Sequence, residues 1–128
     1  MQTLTAQQPD AAEQIYEQAG RWLAKNTDTN ATIGYLEIGY IGYYAQRTLI
    51  DPLGLTVPEA IPHISTRDFT WVYEKFRPDY IVVNPRMRGF NAGLLEKTWF
   101  QKNYQEINRI NQQNFGELII FRSNEVIP

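Results

Sequence analysis

Two carboxylates, two arginines and a run of tyrosines are the residues of this chain whose types and spacing could do chemistry. Glu37 and Asp51 each fall at the expected carboxyl end of a strand, where open α/β sheets gather ligands. Carboxylates so placed could exchange protons with a substrate or hold a cation. Capping and an Asp-Pro turn at Asp51–Pro52 are the simpler use of the same residues. Arg86 and Arg88 lie in the loop PRMRGFNAG, where guanidinium groups could meet an anion such as a phosphate or a lipid headgroup, or stay solvated. Tyr40, Tyr43 and Tyr44, with Tyr35 before them, offer ring faces to a sugar; packed tyrosines would leave only their hydroxyls exposed.

Other motifs are excluded by spacing. Gly34, Gly39 and Gly42 do not form G-x-G-x-x-G, no G-K-[ST] follows them, and bulky Tyr40 stands where a phosphate would need the backbone. Turn geometry and close helix–sheet packing are what such glycines serve. His63 is the single histidine, which rules out a His-based metal cluster; flanked by Ile61-Pro62 and Ile64, it reads as a surface or helix-end residue. No catalytic residue, metal ligand set or cofactor is assigned. The candidate binding set is Glu37, Tyr40, Tyr43, Tyr44, Asp51, Arg86 and Arg88.

These residues need elements to position them. A helix is expected from Asp10 to about Lys25, opened by an Asp10/Glu13 capping box, with Ile15, Ala19, Trp22 and Leu23 on one face. Strand one is expected over Thr32–Glu37, then a short helix around TyrTyrAlaGln, then strand two over residues 47–51. A short helix should open at Thr56, Pro58 and Glu59. Another should start at Ser65 or Thr66, with Phe69, Val72, Tyr73 and Phe76 as its apolar stripe. Residues 77–79, ArgProAsp, stop that helix, and residues 80–84 form the clearest buried strand. A helix near Thr98–Asn103 leads to strands Tyr104–Ile110 and Glu117–Arg122, joined by a hairpin through NQQNFG.

That order predicts a three-layer α/β domain. Its central sheet should be mostly parallel with about five strands, carry an antiparallel C-terminal hairpin at the edge and have helices on both faces. The 128 residues fit one domain, with residues 1–9 expected to fray. A hydrophobic content of 43% is globular composition. The net charge of −2 gives no electrostatic reason to expect nucleic acid. Cysteine is absent, so disulfides and thiolate metal sites are excluded. No apolar run nears the ~20 residues that span a bilayer. The start MQTLTAQQPD lacks a signal-peptide pattern, and Met1 fits either a native start or a cut from a longer protein.

Several segments carry a resemblance. The helix AAEQIYEQAGRWLAKN, the strand and turn ATIGYLEIGYIGYYAQ, the segment RTLIDPLGL and the strand KFRPDYIVVN occur in that order before the hairpin. From about Ala12 to Arg122 the chain resembles the C-terminal soluble region of polytopic membrane glycosyltransferases that use lipid-phosphate-linked sugars. These are the dolichyl- or polyprenyl-phosphate-mannose and aminoarabinose transferase group. EIGYIGYY, IDPLGL and RPDYIVV are the most specific parts.

The resemblance implies a soluble accessory domain on the extracytoplasmic, or periplasmic, face, non-catalytic alone. Its partners would be the transmembrane portion of its own parent protein and a lipid-linked sugar or glycan acceptor, oriented by the Glu37–Asp51 surface. The catalytic carboxylates of that group lie in its membrane part and map to no residue here. Two readings compete with it: a free-standing small-molecule-binding or enzymatic α/β domain, and a purely structural or protein-interaction module.

Overall fold

The computed structural model describes residues 11–35, 44–50, 59, 62, 70–86 and 93–127. Helix α1 runs Ala11–Asn26, close to the expected span, with Glu13 in its first turn and Lys25 in its last, both favourable to the helix dipole. Ile15, Ala19 and Leu23, spaced at i, i+4 and i+8, are fully buried, while Trp22 packs on the margin of the same cluster. Strands β1 (Thr32–Gly34) and β2 (Thr48–Ile50) follow. Helix α2 (Trp71–Phe76) leads to β3 (Tyr80–Val83). A 3-10 turn at Leu94–Glu96 and helix α3 (Thr98–Asn103) precede β4 (Tyr104–Gln112) and β5 (Gly116–Ser123).

The strands form one five-stranded mixed sheet in the order β2-β1-β3-β5-β4. β1 pairs in parallel with β2 and β3, while β5 runs antiparallel to β3 and β4, so the terminal hairpin closes one edge as expected. β3 explains the layers. Its four residues are all buried, with Tyr80 and Val82 in the cluster under α1 and Ile81 and Val83 in the cluster with Tyr73, Leu94, Phe100 and Tyr104. A strand covered on both faces reads as one continuous apolar run because neither of its alternating faces meets water.

Three local features fix the geometry. An added Cβ at Gly34 would stand 2.6 Å from Tyr73 Cε1, so the absent side chain lets α2 lie against β1. Asp79 clasps the starts of β3 and β1: its Oδ2 accepts the Thr32 backbone N–H at 3.0 Å, and its own N–H donates to Thr32 Oγ1 at 3.0 Å. A β-bulge between Glu106 and Asn108 shifts the β4–β5 register. The bulge puts Glu106 and Arg109, three residues apart, on one face, where Arg109 Nη2 donates to Glu106 at 2.9 Å and Nη1 to Glu117 at 3.0 Å.

The structure corrects some expectations. The stripe of α2 buries Val72 and Tyr73, but Phe76 is 39% exposed. It is the last helical residue, and Arg77 then turns the chain at φ 47°. Strand β1 is described only to Gly34, although the Tyr35 N–H still donates to Ile50 O at 3.3 Å. Phe69, and the helices expected near Thr56 and Ser65, lie outside the described residues apart from Glu59 and Pro62. The hairpin strands are longer than expected, reaching Gln112 and starting at Gly116.

Candidate functional site

The polar face of α1 and the tip of the β4–β5 hairpin border an open cleft of about 480 Å³ lined by Gln14, Glu17, Gln18, Arg21, Asn111, Gln112 and Gln113. The α1 residues repeat at i, i+3, i+4 and i+7, the face opposite Ile15, Ala19 and Leu23. Burying the apolar stripe on the sheet leaves these four on the polar side of the helix, from which Gln14 reaches the hairpin through Gln112. Gln112 is a clasp: its Nε2 donates to Gln14 Oε1 at 2.8 Å, and its Oε1 accepts the Asn114 N–H at 2.7 Å. Glu17 accepts from Arg21 Nε at 2.8 Å, and the Arg21 guanidinium lies 4.9 Å from the centroid of the Tyr44 ring. That exposed pair adds only ~0.3–0.5 kcal/mol of stability, so its main effect is to orient Arg21.

The hairpin tip is held from beneath. Phe115 meets Tyr16 edge-on at 5.6 Å, Tyr16 meets Tyr35 at 5.9 Å, and the Arg86 guanidinium lies 5.8 Å over the Phe115 ring. Aromatic contacts thus run from the end of β1, across α1, to the floor of the turn.

Five of the seven lining residues are carboxamides. Each amide offers two N–H donors and an acceptor oxygen and keeps them at every pH, which suits hydroxyl-rich ligands and performs no proton transfer. Such a lining offers hydrogen bonds of both senses to a polar ligand. Among the described residues no group of three or more His, Cys, Asp or Glu is placed to hold a metal ion.

Two residues of the sequence-derived binding set fall beside this cleft. Tyr44 supports Arg21, and Arg86 rests on the hairpin tip. Glu37, Tyr40, Tyr43, Asp51 and Arg88, like His63, lie outside the described residues. Tyr35 is corrected as a stacking candidate: it is 1% exposed and belongs to the core. Sequence reasoning missed the carboxamides. Their signal was Gln14 and Gln18 one turn apart on the polar side of α1, together with NQQN at residues 111–114, which read only as a turn.

Two other depressions are structural. Asp28, Asp79 and Glu125 border one of about 370 Å³ beside Tyr80, but Asp79 is committed to Thr32. Burial pushes the Tyr80 phenol above its ordinary value, and Arg122 partly offsets this. The other, about 320 Å³, has Phe100, Tyr104, Ile119 and Phe121 as its floor and Glu106 and Arg109 on its rim. Hydrogen bonding from Arg109 holds the Glu106 carboxyl below the usual carboxylate range.

Among the described residues no helix is long and apolar enough to cross a membrane. No curated protein and no solved structure matches the chain. One family model does, over residues 4–126, nearly the whole length. The chain therefore belongs to the family described as a domain of unknown function (DUF8728).

Proposed function

We propose that this domain is a non-catalytic saccharide-binding accessory domain of a membrane glycosyltransferase, holding a glycan acceptor or lipid-linked sugar in the cleft between α1 and the hairpin tip. The observation that carries the reading is the cleft lining, where amides from Gln14, Gln18, Asn111 and Gln113 border an open depression of about 480 Å³. That volume lies within the ~300–1,000 Å³ of small-ligand sites. Amides fit alternating hydroxyl donors and acceptors, and among the described residues the lining has no second carboxylate to pair with Glu17 for acid–base work. The attachment to a glycosyltransferase, its transmembrane partner and its extracytoplasmic side rest on the resemblance of EIGYIGYY, IDPLGL and RPDYIVV.

Titrating the isotope-labelled chain with neutral hexoses and their disaccharides, followed by nitrogen–proton correlation spectra, tests the cleft. The expected result is saturable movement of the side-chain amide signals of Gln18, Asn111 and Gln113, abolished in the Gln18→Ala/Gln113→Ala variant. Unmoved amide signals across the panel would sink the saccharide reading. Immunoblots of fractionated native cells test the parent. A larger band in the membrane fraction is expected, and a soluble band of the isolated chain's mass would rule the attachment out.

A further inference from the structure

We propose that the outer edge of β4 is a homodimer interface, at which a second copy of this chain lays its own β4 antiparallel and joins the two sheets into one. β4 ends the strand order β2-β1-β3-β5-β4, and among the described residues no strand pairs with its outer side. At nine residues it is the longest described strand, and Gln105, Glu106, Arg109 and Asn111 along it are exposed. A long edge of unpaired backbone groups is a template for another strand.

The register shows which backbone groups face out. Ser123 donates its N–H to Asp79 O at 2.8 Å, on the β3 side, so its backbone points away from β4. Residues two apart in a strand point the same way, so Phe121, Ile119 and Glu117 do likewise. The residues opposite these on β4 are Tyr104, Glu106, Arg109 and Asn111. They form the non-hydrogen-bonded pairs of the hairpin and aim their N–H and C=O outward.

The bulge gives this edge a two-fold symmetry. In an unbroken strand, residues three apart point to opposite edges and opposite faces. The extra residue, Ile107, brings Glu106 and Arg109 to the same edge and the same face. The four outward residues are then symmetric about a point between Ile107 and Asn108. A two-fold axis there sets Glu106 against the second copy's Arg109 and Tyr104 against its Asn111, and the reverse, as an isologous interface requires. The Tyr104 N–H already goes to Phe100 O, so Tyr104 brings only its carbonyl. That leaves about six backbone hydrogen bonds to cross between the copies. The side chains agree with the backbone, since each Glu106 carboxylate meets the other copy's Arg109 guanidinium. A strand from an unrelated protein needs no such symmetry, and this self-complementarity names a second copy as the occupant.

The contacts that occupy the edge in the single chain are local. Asn108 Oδ1 accepts the Arg109 N–H at 2.9 Å, and the Arg109 guanidinium holds Glu106 and Glu117. The second copy's Glu106 carbonyl and carboxylate can take over from these exposed partners without unfolding either chain. On the same face lies the depression floored by Phe100, Tyr104, Ile119 and Phe121, with Leu95, 40% exposed, in its lining. Pairing brings two such apolar floors to either side of the axis, where covering them favours association.

Sedimentation equilibrium of the full chain from about 1 µM to about 1 mM tests the interface. The expected species at high concentration has twice the 14.9 kDa of one chain, dissociates on dilution, and protects the Glu106 and Arg109 amides from hydrogen exchange only when paired. Arg109→Glu sets carboxylates against each other on both sides of the axis and should weaken the dimer about tenfold. Glu106→Arg/Arg109→Glu exchanges the charges and should restore it. Asn108→Ala removes the competing acceptor and should tighten it, which keeps the test decisive even where Arg109→Glu fails to fold. A chain still monomeric at about 1 mM overturns the inference and leaves the edge to a strand of another protein. A dimer indifferent to both Arg109→Glu and Asn108→Ala, or one whose protected amides lie away from β4, overturns it as well.

Discussion

Replacing Arg47 with alanine should destabilise the domain more than any other single change at its surface. Its Nη2 donates to Ala24 O and Thr27 O at 2.9 Å each, its Nε to Thr27 Oγ1 at 3.1 Å, and its Nη1 to Ala45 O and Gln46 O at 3.1 and 3.3 Å. The Ala24 and Thr27 carbonyls belong to the end of α1, where the last turn of a helix has no internal donors, and a cation there also complements the dipole. Gln46 adopts φ 55°, an uncommon conformation for a residue with a side chain, as the chain turns into Arg47 and β2. A hydrogen bond to a charged group contributes ~1.5–3 kcal/mol, but these bonds share one side chain and water reaches the Gln46 carbonyl. The net loss for Arg47→Ala is therefore about 2–4 kcal/mol. Urea unfolding should show a lower midpoint at unchanged slope, and the Tm should fall by roughly 10 °C. Arg47→Lys keeps the charge but loses the fork, and should recover about half. A loss below about 0.5 kcal/mol for Arg47→Ala would refute the claim that this fork ties β2 to α1. Full recovery by lysine would assign the effect to charge alone.

Two further changes test the core. Gly34→Ala places a methyl 2.6 Å from Tyr73 Cε1 and 3.1 Å from Pro78 Cγ, so α2 must shift off β1; chemical denaturation should show a loss of about 1–3 kcal/mol. Tyr104 donates its buried hydroxyl to Pro78 O at 2.6 Å, so Tyr104→Phe leaves that carbonyl unpaired and should cost about 1–2 kcal/mol at neutral pH. Burial also pushes the Tyr104 phenol well above its ordinary value. A raised folded pKa means that the unfolded chain ionises first. The contribution is therefore complete below about pH 10 and lost as pH rises beyond it. Stability measured from pH 8 to 11 should fall more steeply in wild type than in Tyr104→Phe, and Tyr80, also raised by burial, should contribute to the slope of both.

The fold was legible where periodicity and burial coincide. β3 is apolar without interruption because both its faces are covered, and α1 shows its stripe because only one side meets the sheet. Hairpin length was less legible, since Asn111, Gln112 and Gly116 pair through backbone groups that their side chains do not advertise. The bulge at Glu106–Asn108 was invisible for a related reason: alternation fails there, and a one-residue slip resembles loss of a strand. Phe76 fitted the spacing of a buried stripe, yet a helix that ends on that residue has no further turn to press it down.

The candidate site was hard to read because its residue types are common and its two sides are far apart in sequence. Gln14 and Gln112 meet at 2.8 Å across a separation of 98 residues, and neither carries a motif. Charged residues drew attention first, but several described ones serve structure: Asp79 holds Thr32, Arg47 holds α1, and Glu106 and Glu117 hold Arg109. The residues lining the cleft are mostly neutral amides. Under the proposed function, such a surface would discriminate ligands by hydroxyl pattern. A domain built this way would act by holding a saccharide for chemistry performed elsewhere. The Gln18→Ala/Gln113→Ala variant should then alter how tightly the parent enzyme holds its ligand, visible as a raised KM, with kcat unchanged.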